Sequence, residues 1–167
     1  YLVFMILSII NVFGERKTVY SGMYCAGFAP NAITYTVNDN INIRSSPEIT
    51  ENNIIDTLKL GTKIKIKEFD LEDIPKRKNI IYNNLSFAWY EIEYTKDGQN
   101  KFGYITGGDL AVAYAEIGNK LALVGFESYG KLSNSNKYPD FIMKGMIISD
   151  NIKYSQVEFV IKNGKDN

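Results

Sequence analysis

The stretch Leu58-Lys59-Leu60-Gly61-Thr62-Lys63-Ile64-Lys65-Ile66-Lys67 decides the fold, because its second half alternates strictly between lysine and isoleucine. A period of two predicts a β-strand that buries one face, here the face of Ile64 and Ile66. Gly61 allows the tight turn that reverses the chain before this strand. The lysine stripe predicts a solvated strand face whose charges discourage edge pairing. Contact with an anionic polymer is the alternative interpretation of that stripe.

Short strand-like runs separated by turn signals lie on both sides of this stretch. On the N-terminal side, the run Ile41-Asn42-Ile43-Arg44 alternates and is followed by a turn-rich loop over residues 45–53. On the C-terminal side, a long connection over residues 70–87 leads to strand-like runs at 89–94 and 102–105. Residues 109–117 suggest a turn or two of helix. Many short strands with turns between them predict an all-β protein, a barrel or a sandwich.

Four motifs in this order resemble the bacterial SH3 (SH3b) family. They are Asn42-Ile43-Arg44-Ser45-Ser46-Pro47, the quoted stretch up to Ile66, Trp89-Tyr90-Glu91-Ile92, and Gly103-Tyr104-Ile105 followed by Leu110. The resemblance covers a little under half of the chain. It implies a small SH3-like β-barrel over residues 35–112. The residues expected to fill the barrel are Ile43, Ile64, Ile66, Ile92 and Ile105.

Two departures from the family pattern bear on the ligand. The connection between Lys67 and Trp89 is longer than the family's usual one, which predicts an inserted loop or an extended hairpin. Asp109 stands where many members carry an aromatic residue, so one stacking surface is lost. This loss counts against a Pro-rich ligand bound in an aromatic groove.

Trp89, Tyr104 and Arg44 are the predicted ligand-binding residues. If Ile92 points inward, strand alternation places Trp89 outward, where it lines a groove. Aromatic side chains there offer a large contact area at a small entropic cost, and Arg44 can pair with a ligand carboxylate. The alternatives are that both aromatics cover the barrel's edge and that Arg44 ties down a loop of its own domain.

The composition excludes most catalytic and metal chemistry. The chain has no histidine, so Ser-His-Asp and Cys-His catalytic sites and histidine-ligated zinc sites cannot form. Cys25 is the single cysteine, which excludes an intrachain disulfide and an all-cysteine zinc site. Two carboxylates suffice for a glycosidase, but no acidic pair stands out. We therefore predict no catalytic residue, metal or cofactor. Lys plus Arg and Asp plus Glu number 19 each, a balance that does not favour nucleic acid.

The two ends of the sequence predict further features. The uncharged run over residues 1–14 is too short for a transmembrane helix and suits the apolar core of a signal peptide. Residues 1–31 are accordingly interpreted as an apolar, signal-like helix and leader, with cleavage after Gly14 or Ala29. A buried strand or helix of the mature domain is the alternative. Residues 115–167 are expected to begin a second β domain. Because the hairpin signal Asn163-Gly164 has no returning strand after it, we expect a fragment of a longer protein.

The expected function is that of a non-enzymatic binding module in an exported protein, periplasmic or at the cell surface, without a stable membrane span in the mature chain. What the resemblance implies is recognition of a cell-wall peptide or of a protein partner in a groove near the three predicted residues. One alternative is a structural spacer in a larger surface protein. Another is the targeting domain of a cell-wall hydrolase whose catalytic domain lies outside this chain.

Overall fold

A computed structural model describes residues 23–24, 27–69, 73, 79–82, 85–129, 141–149 and 152–161. The predicted signal-like helix and the Asn163-Gly164 turn lie outside these ranges. The described residues are mostly strands, which confirms the all-β class. The strands are β1 (Met23–Tyr24), β2 (Gly27–Phe28), β3 (Ile33–Tyr35), β4 (Ile41–Arg44), β5 (Ile54–Leu58), β6 (Lys63–Ile66), β7 (Asn79–Tyr82), β8 (Leu85–Lys96), β9 (Gln99–Thr106), β10 (Ala113–Ile117), β11 (Lys120–Tyr129), β12 (Phe141–Ser149) and β13 (Ile152–Ile161).

The first sheet has the strand order β3-β6-β8-β9-β4-β5, with antiparallel neighbours. β8 and β9 join through Asp97 and Gly98, which both have positive φ, as a two-residue hairpin requires. Among the described strands, β3 and β5 end the path and do not pair with each other. The sheet is therefore an open one in its hydrogen bonding, and the predicted closed barrel is not found.

Two connecting segments show how the sequence patterns map onto structure. The long connection contains an extended hairpin, because β7 pairs with the first four residues of β8, from Asn79 opposite Ala88 to Tyr82 opposite Leu85. The helix suggested for residues 109–117 is wrong. A 3₁₀ turn at Gly107–Asp109 leads instead into β10, whose first three residues are all buried. Burial on both faces removes the alternation that marks a strand in the sequence.

The core of the first sheet includes all five isoleucines that the sequence assigns to it. The five isoleucines expected to fill it are at most 2% exposed, and they pack with further apolar side chains of the same sheet. Full burial of one such side chain contributes on the order of 1.5–3 kcal/mol relative to exposure. The members of this cluster include Ile41, Ile43, Leu58, Ile64, Ile66, Tyr90, Ile92, Tyr94, Ile105 and Leu110.

The second sheet is an antiparallel meander with the order β10-β11-β12-β13. It packs against the first sheet through a shared apolar cluster, whose buried members are Tyr35, Val37, Ala111, Tyr114, Leu123 and Met146. The approach is close at Gly125 of β11, where an added Cβ would lie 2.7 Å from Cγ1 of Val37. Only a glycine fits at that distance.

Phe28 lies in a segment that the sequence assigns to the leader, yet it belongs to the core. Its side chain is 3% exposed and contacts the ring of Tyr90 edge to face, with the ring centroids 5.4 Å apart. Its backbone N–H donates to the Tyr90 hydroxyl at 3.0 Å. Of the two cleavage positions considered, only the one after Gly14 keeps this side chain in the mature protein.

Candidate binding site

Strand alternation places the three predicted binding residues on one face of the first sheet, here called the outer face. Ile92 of β8 is fully buried in the core, so Trp89 and Glu91 belong to the opposite side of that strand. Arg44 of β4 lies directly opposite Tyr104 of β9, and Tyr104 lies directly opposite Glu91. The fold thus brings together side chains that are far apart in the sequence.

A cleft of about 230 Å³ lies at one end of the outer face. Its lining includes Trp89 and Arg44, the turn over residues 38–40, Ile49 from the loop after β4, and Asp109. Ile49 is 62% exposed, so an apolar group stands at the rim. Tyr104 shares the outer face with the cleft but is not among its lining residues.

Trp89 differs from the expectation of an open aromatic surface. It lies on the outer face and lines the cleft, but its side chain is only 6% exposed. The turn over residues 38–40 lines the same cleft. A ligand in the cleft therefore reaches a limited part of the indole.

Arg44 acts within its own domain, as the alternative interpretation held. Its Nη1 donates to the Thr50 carbonyl and to Oδ1 of Asn53, the latter at 2.6 Å. The Asn53 amide in turn donates to the Ser46 hydroxyl and to the Glu48 carbonyl, both at 2.9 Å. These bonds fix the loop that carries Ile49, so Arg44 shapes the cleft wall.

The floor and rim of the cleft carry a connected set of polar groups. Thr106 lies directly opposite Trp89 across β8 and β9, and its hydroxyl donates to Oδ2 of Asp109 at 2.8 Å. The other carboxylate oxygen of Asp109 accepts from the Asn38 amide at 3.3 Å. Asp109, which stands where many SH3b members carry an aromatic residue, thus orders the cleft through hydrogen bonds.

Tyr104 is half-buried between neighbours that supply charge. The Lys67 ammonium lies 2.6 Å from a carboxylate oxygen of Glu91, and this hydrogen bond raises the pKa of the lysine. The same ammonium lies 5.0 Å from the ring centroid of Phe102, which is half exposed.

The lysine stripe has a charged partner at its other end as well, where Lys63 pairs with Glu116 at 3.4 Å. These partners favour a solvated strand face over a polymer-binding stripe.

A cluster of charged and polar side chains surrounds Asp56, the middle residue of β5. Burial raises the pKa of the Asp56 carboxyl, but hydrogen bonds from Lys96, the Thr57 N–H and the Tyr94 hydroxyl outweigh it and lower the pKa to about 2. The Tyr94 hydroxyl donates at 3.0 Å, and Lys101 lies 3.6 Å away. The cluster joins three strands and has no part in the cleft.

Ile49 and Asn38, which line the cleft, and Phe102, which lies on the outer face without lining it, were not predicted from the sequence as functional residues. Ile49 and Asn38 lie in turn-rich segments with no periodicity, so only the folded chain shows that they border Trp89. The outward position of Phe102 could have been predicted from the sequence, because this residue alternates with Gly103 and Ile105, which are buried.

Within the described ranges, no group of three or more metal-ligating side chains is present. No helix among those residues is long and apolar enough to span a membrane. No protein-family model, curated protein or solved structure is significantly similar to this chain. The SH3b resemblance therefore rests on the four motifs alone.

Proposed function

We propose that the first sheet is an SH3-like domain of the SH3b type and that it serves as a non-enzymatic binding module of an exported cell-envelope protein. Its ligand is a cell-wall peptide, with a protein partner as the alternative. The single observation that carries the proposal is the cleft beside Trp89, which combines an aromatic floor, an exposed apolar rim at Ile49 and ordered polar groups. Such a mixture suits a small peptide.

The order of the four motifs also supports the proposal. The isoleucines that the SH3b pattern assigns to the interior lie in one core, and the segments that carry them are neighbouring strands of one sheet. The predicted absence of catalytic residues stays a prediction from the composition.

The near-complete burial of Trp89 favours a second function, that of a structural spacer in a larger surface protein. A spacer needs the core but not the cleft. The two functions therefore differ in what a change at the exposed rim does.

Retention on purified bacterial cell wall tests the proposal. Ile49→Ser removes an exposed cleft residue without opening the core, and we expect it to weaken retention by about fivefold, or ~1 kcal/mol. Ile55→Ser is the matched control, because Ile55 is similarly exposed, at 52%, and does not line the cleft. Absence of wild-type retention, or equal loss in both variants, counts against wall binding and favours the spacer.

A further inference from the structure

Asn38 connects the cleft to the second sheet. Its amide nitrogen donates to Asp109 on the cleft side, and its amide oxygen accepts a hydrogen bond from the Lys144 ammonium. Asp109 in turn accepts from Thr106, which lies opposite Trp89. A continuous chain of hydrogen bonds therefore runs from β12 to the floor of the cleft.

Lys144 is placed in a way that suits a fixed role. The residue is only 7% exposed, and a lysine is almost never this buried without a partner. A charge taken out of water is costly unless it is paired or hydrogen-bonded. The Asn38 carboxamide meets part of that need, and it does so at the turn that lines the cleft.

The backbone next to Asn38 is held by the same contact between the sheets. Val37 is 1% exposed and packs in the shared apolar cluster with Leu123 and Met146 of the second sheet. Its N–H donates to the Asp109 carbonyl at 3.0 Å. The second sheet therefore holds the main chain of this turn through Val37 and the side chain of Asn38 through Lys144.

We infer that Lys144 is a positioning residue of the cleft, so that the second sheet is part of the binding unit. The expected loss of retention on cell wall rests on the proposed function. The expected change in the exposure of Trp89 does not. Lys144 touches no ligand. It orients Asn38, Asn38 orients Asp109, and the cleft loses its shape when the first link is removed.

The test uses Lys144→Met in the full chain, with Lys120→Met as the control for loss of one lysine charge from the same sheet. Trp89 is the only tryptophan of the chain, so its fluorescence reports on the cleft without any ligand. Well below the melting temperature, we expect stronger acrylamide quenching of Trp89 in Lys144→Met and wild-type quenching in Lys120→Met. Retention on purified cell wall should fall by roughly three- to tenfold, the effect of losing one ordinary hydrogen bond.

Asn38→Ala cuts the same chain at its next link and leaves the lysine in place. It should reproduce the quenching change, and the double variant should add little to it. This variant also decides the matter if Lys144→Met does not fold. A folded Lys144→Met with wild-type quenching overturns the inference. If the wild type is not retained on cell wall, the proposed function fails while the fluorescence comparison still decides the role of Lys144.

Discussion

Nη1 of Arg44 donates to Oδ1 of Asn53 at 2.6 Å, and both residues are more than nine-tenths buried. This contact links the end of β4 to the 3₁₀ turn at Glu51–Asn53 and closes the loop between them. A guanidinium committed in this way stabilises the domain whether or not a ligand is present.

Arg44→Met should therefore lower the free energy of unfolding by about 2 kcal/mol, because hydrogen bonds to a charged group contribute roughly 1.5–3 kcal/mol. Urea denaturation measures the change. Lys59→Met, at an exposed position, should change stability by less than about 0.5 kcal/mol. If Arg44→Met is as stable as the wild type but loses ligand binding, Arg44 is a ligand-binding residue and does not stabilise the loop.

Asp56 should make stability depend on pH in the acidic range. Its pKa is about 2 in the folded protein, against an ordinary value of 3.8. The stabilisation is therefore fully present above about pH 4 and is lost as the pH falls through about 2, with a total of about 2 kcal/mol. Unfolding in urea at pH 6 and at pH 2.5 should show the loss in the wild type. Asp56→Asn should be less stable at pH 6 and should lose less on acidification.

Gly125→Ala should test how closely the two sheets pack. The new Cβ would lie within 3.0 Å of three carbon atoms of Val37, so we expect a cost of about 1–3 kcal/mol. Val37→Ala removes the two methyl groups that clash. The double variant should lose less stability than the sum of the two single variants. Strict additivity would mean that the sheets separate easily at this point.

Phe28→Ala should destabilise the protein by about 3 kcal/mol or more, the usual cost of deleting a buried phenylalanine. Thermal unfolding provides the measurement. Phe102→Ala is a suitable control, because Phe102 is half exposed on the outer face. Equal effects at the two positions would show that the segment before β3 is not part of the folded core.

Alternation was enough to predict the centre of the first sheet. β6 has one buried and one solvated face, and Lys63, Ile64, Lys65 and Ile66 report this directly. β5 was largely missed, because Ile54 and Ile55 are both exposed at the sheet edge, and the register shifts beside Arg44. An edge strand with an irregular register leaves no periodic pattern.

The cleft was predicted only in part, for a different reason. Trp89 and Arg44 could be found from short motifs, but the surroundings of each depend on distant residues. Asn38 and Lys144 meet across two sheets and are separated by most of the folded chain. A hydrogen bond between such residues has no signature in a single sequence, whereas strand alternation is a local property.

The apolar cluster shared by the two sheets limits how the first sheet can be transferred into another protein. A graft of residues 35–112 would carry Tyr35 and Val37 but leave behind Tyr114, Leu123 and Met146, which cover them. The exposed patch would make such a fusion prone to aggregate. A transferable unit that keeps this cluster covered must therefore contain both sheets.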